Sequence, residues 1–302
     1  MNLAFAIYKK IIMRNIKLFI ELTRLNKPIG FMLLFWPCIW GLTISYDFSL
    51  SLIKLFFYGI LFFLGAVFMR SAGCIFNDIV DKNFDKKVQR TKHRPIASGK
   101  ISVKLAFIYV IILCFIAFLV LINFNKFTIL MAILSMPLAF SYPLMKRFTY
   151  WPQLFLGITF NYGVVLGWIS IKNEISIIPL ILYTGAIFWT LGYDTIYGYQ
   201  DIKDDEIIGV KSTSIKFKKN PKKFILLCYL IFLFSLVLTG LLMNFKSPYY
   251  FVLVATSIIL IPYQLSNLNI NNPKNCLLKF KSNNLLGLIV LINILIGKIS
   301  II

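Results

Sequence analysis

The chain has 302 residues, 59% of them hydrophobic and 14% charged, with a mean hydropathy of +0.81. A soluble globular domain carries about 25% charged residues, so this composition excludes one and indicates a polytopic membrane protein. The formal net charge of +21 would suggest a nucleic-acid partner for a soluble chain. Here the apolar runs sort the charges by membrane side, so the lipid bilayer is the expected partner, with no nucleic acid and no obligate protein partner.

Residues 1–27 are basic and lightly amphipathic, with Glu21 the only acid. Their apolar stretch is poor and no small-residue cleavage site follows, so they read as an interfacial segment on the membrane rather than a removed signal. Nine apolar runs of spanning length follow, at roughly 28–46, 52–76, 103–123, 127–145, 149–170, 175–193, 224–244, 248–268 and 284–302. They form one transmembrane domain over 28–302, with polar motif loops at about 77–101 and 194–222. The first run is entered through Thr23-Arg24-Leu25-Asn26-Lys27-Pro28-Ile29-Gly30. Proline suits the first turn of a helix, where its missing N–H has no partner to lose. Arg24 and Lys27 read as interface anchors, with the mouth of a cavity as their alternative placement.

Nine runs put 26 Lys and Arg on the side of the N-terminus and only Lys54, Lys126, Lys172, Lys246 and Lys298 on the other, with Arg70 near a span end. The positive-inside rule therefore makes the N-terminus and both motif loops cytoplasmic, or matrix-facing in an organelle. Cys38, Cys74, Cys114, Cys228 and Cys276 are scattered without a CxxC pair and carry no disulfide or metal signal.

The second run breaks into an acidic ladder. In a helix, Asn77, Asp81 and Asp85 recur at i, i+4 and i+8, and Asp78, Asp81 and Asp85 at i, i+3 and i+7, so both sets fall on one face. Carboxylates so grouped repel one another unless a cation is held there. Mg2+ takes one or two carboxylates and fills its remaining positions with water and substrate phosphates. The basic run behind the ladder, Lys86, Lys87, Arg90, Lys92, Arg94 and Lys100, supplies partners for phosphate oxygens.

Eight of the eleven acidic residues lie in two clusters, the second being Asp194, Asp201, Asp204, Asp205 and Glu206. Asp201 and Asp205 share a helical face at i and i+4. Asn77-Asp78-Ile79-Val80-Asp81 and Gln200-Asp201-Ile202-Lys203-Asp204 also look alike, as in a weak internal duplication. Between the clusters, Lys146 and Arg147 end the fourth run on the same side, as membrane anchors or as a phosphate contact. His93, the one histidine, is given no role. Phe76, Phe160, Tyr162, Phe188, Trp189, Tyr193 and Tyr197 are candidates to line a cavity that stabilises a cation through aromatic faces.

A diphosphate held by Mg2+, an apolar cavity at bilayer depth and abundant aromatics suit ionisation of an allylic prenyl diphosphate, whose cation needs a site without water. The two aspartate stretches resemble the motifs of the UbiA superfamily of intramembrane prenyltransferases. Lys27-Pro28-Ile29-Gly30, Met69-Arg70-Ser71-Ala72-Gly73-Cys74, Arg94-Pro95-Ile96-Ala97-Ser98-Gly99, Tyr193-Asp194-Thr195-Ile196-Tyr197 and Ile208-Gly209-Val210-Lys211-Ser212-Thr213 narrow the resemblance to the 4-hydroxybenzoate polyprenyltransferases of ubiquinone biosynthesis.

The resemblance implies an all-α bundle of nine transmembrane helices around a central cavity. It implies transfer of a polyprenyl group from polyprenyl diphosphate to 4-hydroxybenzoate, ortho to its hydroxyl. Asn77, Asp81, Asp85, Asp201 and Asp205 would hold Mg2+, the four aspartates serving as catalytic groups. Arg94 and Lys146 would contact the diphosphate, with Asp78 and Tyr197 also in the substrate site, and Arg70 would receive the acceptor carboxylate or orient the first motif. A naphthoate or haem acceptor is the rival within the superfamily. A transporter is the rival outside it, but its acids would lie at mid-membrane rather than at span ends among Lys and Arg. The short, Arg- and Ser-poor start favours a bacterial inner membrane over a mitochondrial one.

Overall fold

The computed structural model describes residues 2–301, and all regular structure among them is helical. In order come α1 (Asn2–Thr23), α2 (Ile29–Ser45), α3 (Leu52–Val80), α4 (Lys82–Asp85), α5 (Val103–Leu121), α6 (Lys126–Ser141), a 3-10 turn (Tyr142–Arg147), α7 (Pro152–Asn161), α8 (Gly163–Lys172), α9 (Ile177–Gly198), α10 (Ile202–Ile208), α11 (Thr213–Lys216), α12 (Pro221–Leu242), α13 (Ser247–Leu265) and α14 (Pro273–Ile299). Among the described residues, eight helical stretches are long and apolar enough to cross a membrane. Counting Pro152–Lys172 as one stretch, the shorter α2 makes the ninth, in agreement with the expected bundle.

Local chemistry sets many of these starts. Ser51, Ser102, Asn125 and Ser212 accept the free N–H groups of the first turns of α3, α5, α6 and α11. Proline opens α7, α12 and α14. Asn272 caps α14 through the N–H groups of Lys274 and Asn275, so this helix begins at Pro273 rather than near 284. Its early turns carry Lys279, whose ammonium lies 4.0 Å over the ring of Tyr263 and donates to the Tyr263 carbonyl.

Small residues bring the helices into backbone contact. A Cβ on Gly41 would fall 2.0 Å from the Val164 carbonyl, and one on Gly167 would fall 2.3 Å from that of Cys38, so α2 and α8 pack with nothing between them. The main core gathers Trp40, Trp189 and Phe232, with Trp40 and Trp189 5.1 Å apart and Trp189 stacked on Phe232 at 5.7 Å. Buried indoles need acceptors, and α14 supplies them: Trp189 Nε1 donates to Asn283 at 2.8 Å and Trp40 Nε1 to the Gly287 carbonyl at 3.0 Å.

Helix α1 joins through its C-terminal end. Leu22 is buried against Ala72 and Ile75, and Phe19 meets Tyr109 edge-on at 5.4 Å, whereas Met13 and Ile16 are exposed. The turn after α1 therefore lies beside the end of α3, where the carboxylates stand.

Candidate active site

The chain leaves α3 at Val80, but the spacing of the ladder survives the junction. Asp81 N bonds the Asn77 carbonyl at 2.9 Å and Asp85 N bonds the Asp81 carbonyl at 2.8 Å, so α4 continues the same turn. Asp78, Asp81 and Asp85 are only 2%, 2% and 6% exposed. Burying charge at that depth is costly without partners, and basic side chains from three other segments provide them. Arg94 donates to Asp78 at 3.0 Å and to Asp85 at 2.8 Å, Arg24 to Asp78 at 2.5 Å, and Lys146 to Asp81 at 2.6 Å.

Of the two placements open to it in the sequence, Arg24 takes the mouth of the cavity. It stands at the end of α1 with a positive φ of 57°, and its guanidinium reaches the first motif rather than only the interface. Arg147, paired with Lys146 in the sequence, donates to the Val80 carbonyl at 2.8 Å and fixes the end of α3.

The second cluster meets the first. Arg90 grips Asp201 with two nitrogens, Nε at 2.8 Å from Oδ1 and Nη2 at 2.5 Å from Oδ2, and also donates to the Tyr197 hydroxyl at 3.1 Å. The Gln89 N–H donates to Asp204 at 2.9 Å. Asp205 keeps the helical spacing, its N–H bonding the Asp201 carbonyl at 2.9 Å, but its carboxyl forms no ion pair among the described residues. Burial, then the neighbouring Asp201, pushes that carboxyl up to about 7, against the pull of Lys146 and Arg90. Burial likewise raises Asp81 above the usual carboxylate range, against Lys146. Lys146 thus faces carboxylates of both motifs.

Among the described residues no three His, Cys, Asp or Glu side chains converge as a ready-made metal cage. The reason is electrostatic: Asp78, Asp81, Asp85 and Asp201 each hold an Arg or Lys. The donor set nevertheless fits a hard cation. Oδ1 of Asp81 is buried without any partner, and Asp205 is a half-buried carboxyl with no cation on it. Both are oxygens that a divalent ion would satisfy.

An apolar cavity of about 340 Å³ runs into the membrane below the carboxylates, between α2, α3, α5, α6 and the α7–α8 pair. Its inner end holds Arg70, Gly73 and Tyr142, and Leu34, Met69 and Phe160 line its wall. Arg70 lies 5.2 Å over the Phe160 ring, and its Nε is buried without a partner. Gly30 makes room for it, since a Cβ there would come within 2.9 Å of that Nε. Asp194, one turn from Tyr197 on α9, is an electrostatic neighbour of Arg70.

Of the aromatic candidates, Phe160 and Tyr162 line the cavity. Trp189 and Tyr193 belong to the core, Phe76 packs on Phe140 at 4.8 Å, and Tyr197 rests on Phe280 at 4.5 Å beside Arg90. Gly30 and Tyr142 are additions that periodicity does not single out. The signal for Gly30 is its place in the Lys27–Gly30 string.

The profile of the UbiA prenyltransferase family matches residues 34–287. The chain is 42% identical over 294 residues to the 4-hydroxybenzoate polyprenyltransferase, mitochondrial, of Bos taurus, an alignment covering 95% of this chain and 76% of that one. In fold it is similar to the apo structure of a UbiA homolog from Aeropyrum pernix K1, with a TM-score of 0.73 at 24% identity over 88% of this chain and 97% of the other. It is likewise similar to a UbiA homolog from Archaeoglobus fulgidus bound to GPP and Mg2+, with a TM-score of 0.67 at 18% identity over 94% and 99% of the two chains.

Proposed function

The chain belongs to the UbiA prenyltransferase family, and on that premise we propose that it transfers a polyprenyl group from polyprenyl diphosphate to 4-hydroxybenzoate, giving 3-polyprenyl-4-hydroxybenzoate and diphosphate in ubiquinone biosynthesis. The observation that carries this reading is the meeting of two aspartate motifs and their basic partners at the mouth of an apolar cavity with an unspent arginine inside it.

Asn77, Asp81, Asp85, Asp201 and Asp205 are the proposed Mg2+ ligands, the cofactor class being that of the Archaeoglobus structure. When bound, the metal neutralises charge on the leaving diphosphate. The chain's own groups do the rest. Arg94, Lys146, Arg90 and Arg24 exchange carboxylate oxygens for phosphate oxygens of the same charge, so they are in place before the donor arrives. Until the donor arrives, Asp78 keeps Arg24 and Arg94 together at the mouth. Tyr197 holds Arg90 against the second motif through its hydroxyl.

As the allylic C–O bond breaks, electrons leave with the diphosphate and the cation forms where the cavity is apolar, which keeps water from capturing it. The Phe160 face stands beside that space. Arg70 takes the carboxylate of 4-hydroxybenzoate, presenting the ring carbon ortho to the hydroxyl. A new carbon–carbon bond forms there, the ring C–H bond breaks, and its proton passes to the released diphosphate, the base that the reaction itself supplies.

The protein is a multi-pass membrane protein whose Lys- and Arg-rich side carries the site. Of the two hosts, the bacterial inner membrane gains nothing from the bovine relative, which is mitochondrial by name; the proposed orientation, site toward cytoplasm or matrix, is the same in both. The reading is tested by offering membranes one prenyl diphosphate with either 4-hydroxybenzoate or a hydroxynaphthoate. Product from 4-hydroxybenzoate alone supports it, and product from the naphthoate alone overturns the acceptor.

A further inference from the structure

The string Ile208-Gly209-Val210-Lys211-Ser212-Thr213 has no part in the proposed bond breaking, yet it runs from the second motif to the lysine that serves the first. It begins at Asp205, whose carbonyl accepts the N–H groups of Gly209 at 3.0 Å and Val210 at 3.2 Å. Gly209 has a φ of 80°, the left-handed conformation that ends α10 and that glycine adopts without strain. The chain turns back there and reaches the segment between α6 and α7. The Lys211 N–H donates to the Lys146 carbonyl at 2.8 Å, and the Lys211 ammonium donates to the Phe148 carbonyl at 3.2 Å. One residue thus grips the Lys146 turn on both sides of Arg147.

Beyond Lys211 the segment is fixed to the core. Thr213 and Ser214 are buried, and so are Thr195 and Gln153, which meet them from α9 and α7. The Thr213 N–H donates to Gln153 Oε1 at 2.9 Å, and the Ser214 hydroxyl donates to the Thr195 carbonyl at 2.8 Å. The Thr195 hydroxyl gives its one proton to the Leu191 carbonyl at 2.6 Å, so Thr213, whose hydroxyl lies 2.6 Å from it, is the donor of that pair. Gly198 leaves room for this anchor, since a Cβ there would fall 2.3 Å from the Ser214 oxygen. Buried hydrogen bonds that satisfy one another hold such a segment rigidly.

Lys146 is the group that needs a rigid mount. Its ammonium stands 2.6 Å from Asp81 and also faces Asp205, but it is carried on a 3-10 helix of six residues, Tyr142–Arg147. A short 3-10 helix has poorer hydrogen-bond geometry than an α-helix, so outside contacts decide where it sits. Arg147 ties it to the end of α3, and Lys211 ties it to the second motif.

Resting on the prenyl-transfer reading, we propose that Lys211 is a positioning residue: anchored through Thr213 and Gln153, it sets the Lys146 ammonium where the two aspartate motifs hold the diphosphate. Lys211 touches no phosphate and acts through Lys146. A change at Lys211 is therefore felt only while Lys146 is present. It is felt at the donor and not at the acceptor beside Arg70.

The test is a double-mutant cycle with geranyl diphosphate and 4-hydroxybenzoate, in membranes carrying the full chain. Lys211→Met removes the ammonium and keeps the N–H. It should lower kcat/KM for the donor by about tenfold, within the loss that misplacing a group at the reacting centre causes, and leave the KM for 4-hydroxybenzoate unchanged. Lys211→Arg keeps a donor for the Phe148 carbonyl and should restore most of the loss. Thr213→Val loosens the anchor and should give the same donor-specific loss. In a Lys146→Met background both substitutions should cost about twofold or less, as for groups that act as one unit. Lys211 is only half-buried, so Lys211→Met decides the matter even where Thr213→Val lowers the amount of inserted protein. Equal losses with and without Lys146, or a KM for 4-hydroxybenzoate that rises as much as the donor's, overturn the proposal. Absence of product in the unmodified chain would instead overturn the prenyl-transfer reading itself.

Discussion

Lys146 Nζ lies 2.6 Å from Oδ2 of Asp81, while Oδ1 of the same carboxylate is buried with no partner. One oxygen of this group is thus satisfied by the chain itself and the other is not. A half-satisfied carboxylate at low dielectric is costly to keep, and the cost is relieved when a second cation arrives. The pairing therefore couples the fold of the first motif to the ligand it is proposed to hold.

Lys146→Met should separate these two roles. Turnover is expected to fall by about a hundredfold, the scale for removing one preorganised donor to a developing negative charge. Stability should fall by about 1–3 kcal/mol because Asp81 stays behind unpaired. The double variant Lys146→Met/Asp81→Asn should regain stability but not turnover. Thermal unfolding alongside turnover checks this, and a double variant as unstable as the single one would remove the pair from the account.

The tie between Arg90 and Asp201 is the main bond between the two motif loops. Arg90→Ala should raise the KM for prenyl diphosphate several-fold, on the order of a charge-assisted bidentate contact, and speed proteolytic cleavage in the segment between Lys82 and Lys100. Lys218→Ala is the contrast. Its pair with Glu206 is 46% and 38% exposed, and such pairs contribute about 0–1 kcal/mol. Equal protease sensitivity in the two variants would show that Arg90 does not hold the loops together.

If Arg70 receives the acceptor carboxylate, Arg70→Ala should raise the KM for 4-hydroxybenzoate by one to two orders of magnitude while leaving that for the donor nearly unchanged, as for loss of a charged hydrogen bond of about 1.5–3 kcal/mol. The variant should also cease to distinguish 4-hydroxybenzoate from its methyl ester. Gly30→Ala should reproduce a weaker form of the same phenotype, since the added Cβ meets Arg70 Nε at 2.9 Å. Competition kinetics with acid and ester decide it, and retained discrimination in Arg70→Ala would assign the carboxylate elsewhere.

The parts of this molecule that local pattern governs were legible in its sequence. Long apolar runs marked the spans because an apolar segment of that length has no other stable place. The carboxylate ladder kept its spacing across the end of α3 because backbone bonds four residues apart continue through Asp81 and Asp85. What escaped depends on contacts between distant segments. Arg24 reads as an interface anchor until α1 is docked on α3, and α14 begins at Pro273 because a cap and the Lys279–Tyr263 contact extend it beyond its apolar run. The aromatic candidates divide for the same reason: period alone does not tell Phe160, which faces the cavity, from Trp189, which faces the core.

The measurement that bears most directly on the central claim is transfer of a prenyl group to ring-labelled 4-hydroxybenzoate in membranes carrying the full chain, with Mg2+ and then with EDTA, for the unmodified protein and for Asp81→Ala and Asp201→Ala. The two-motif account predicts product that requires the metal and is lost in both variants, each of which still inserts at the normal level. Product that persists in EDTA, or full turnover in either aspartate variant, would contradict it.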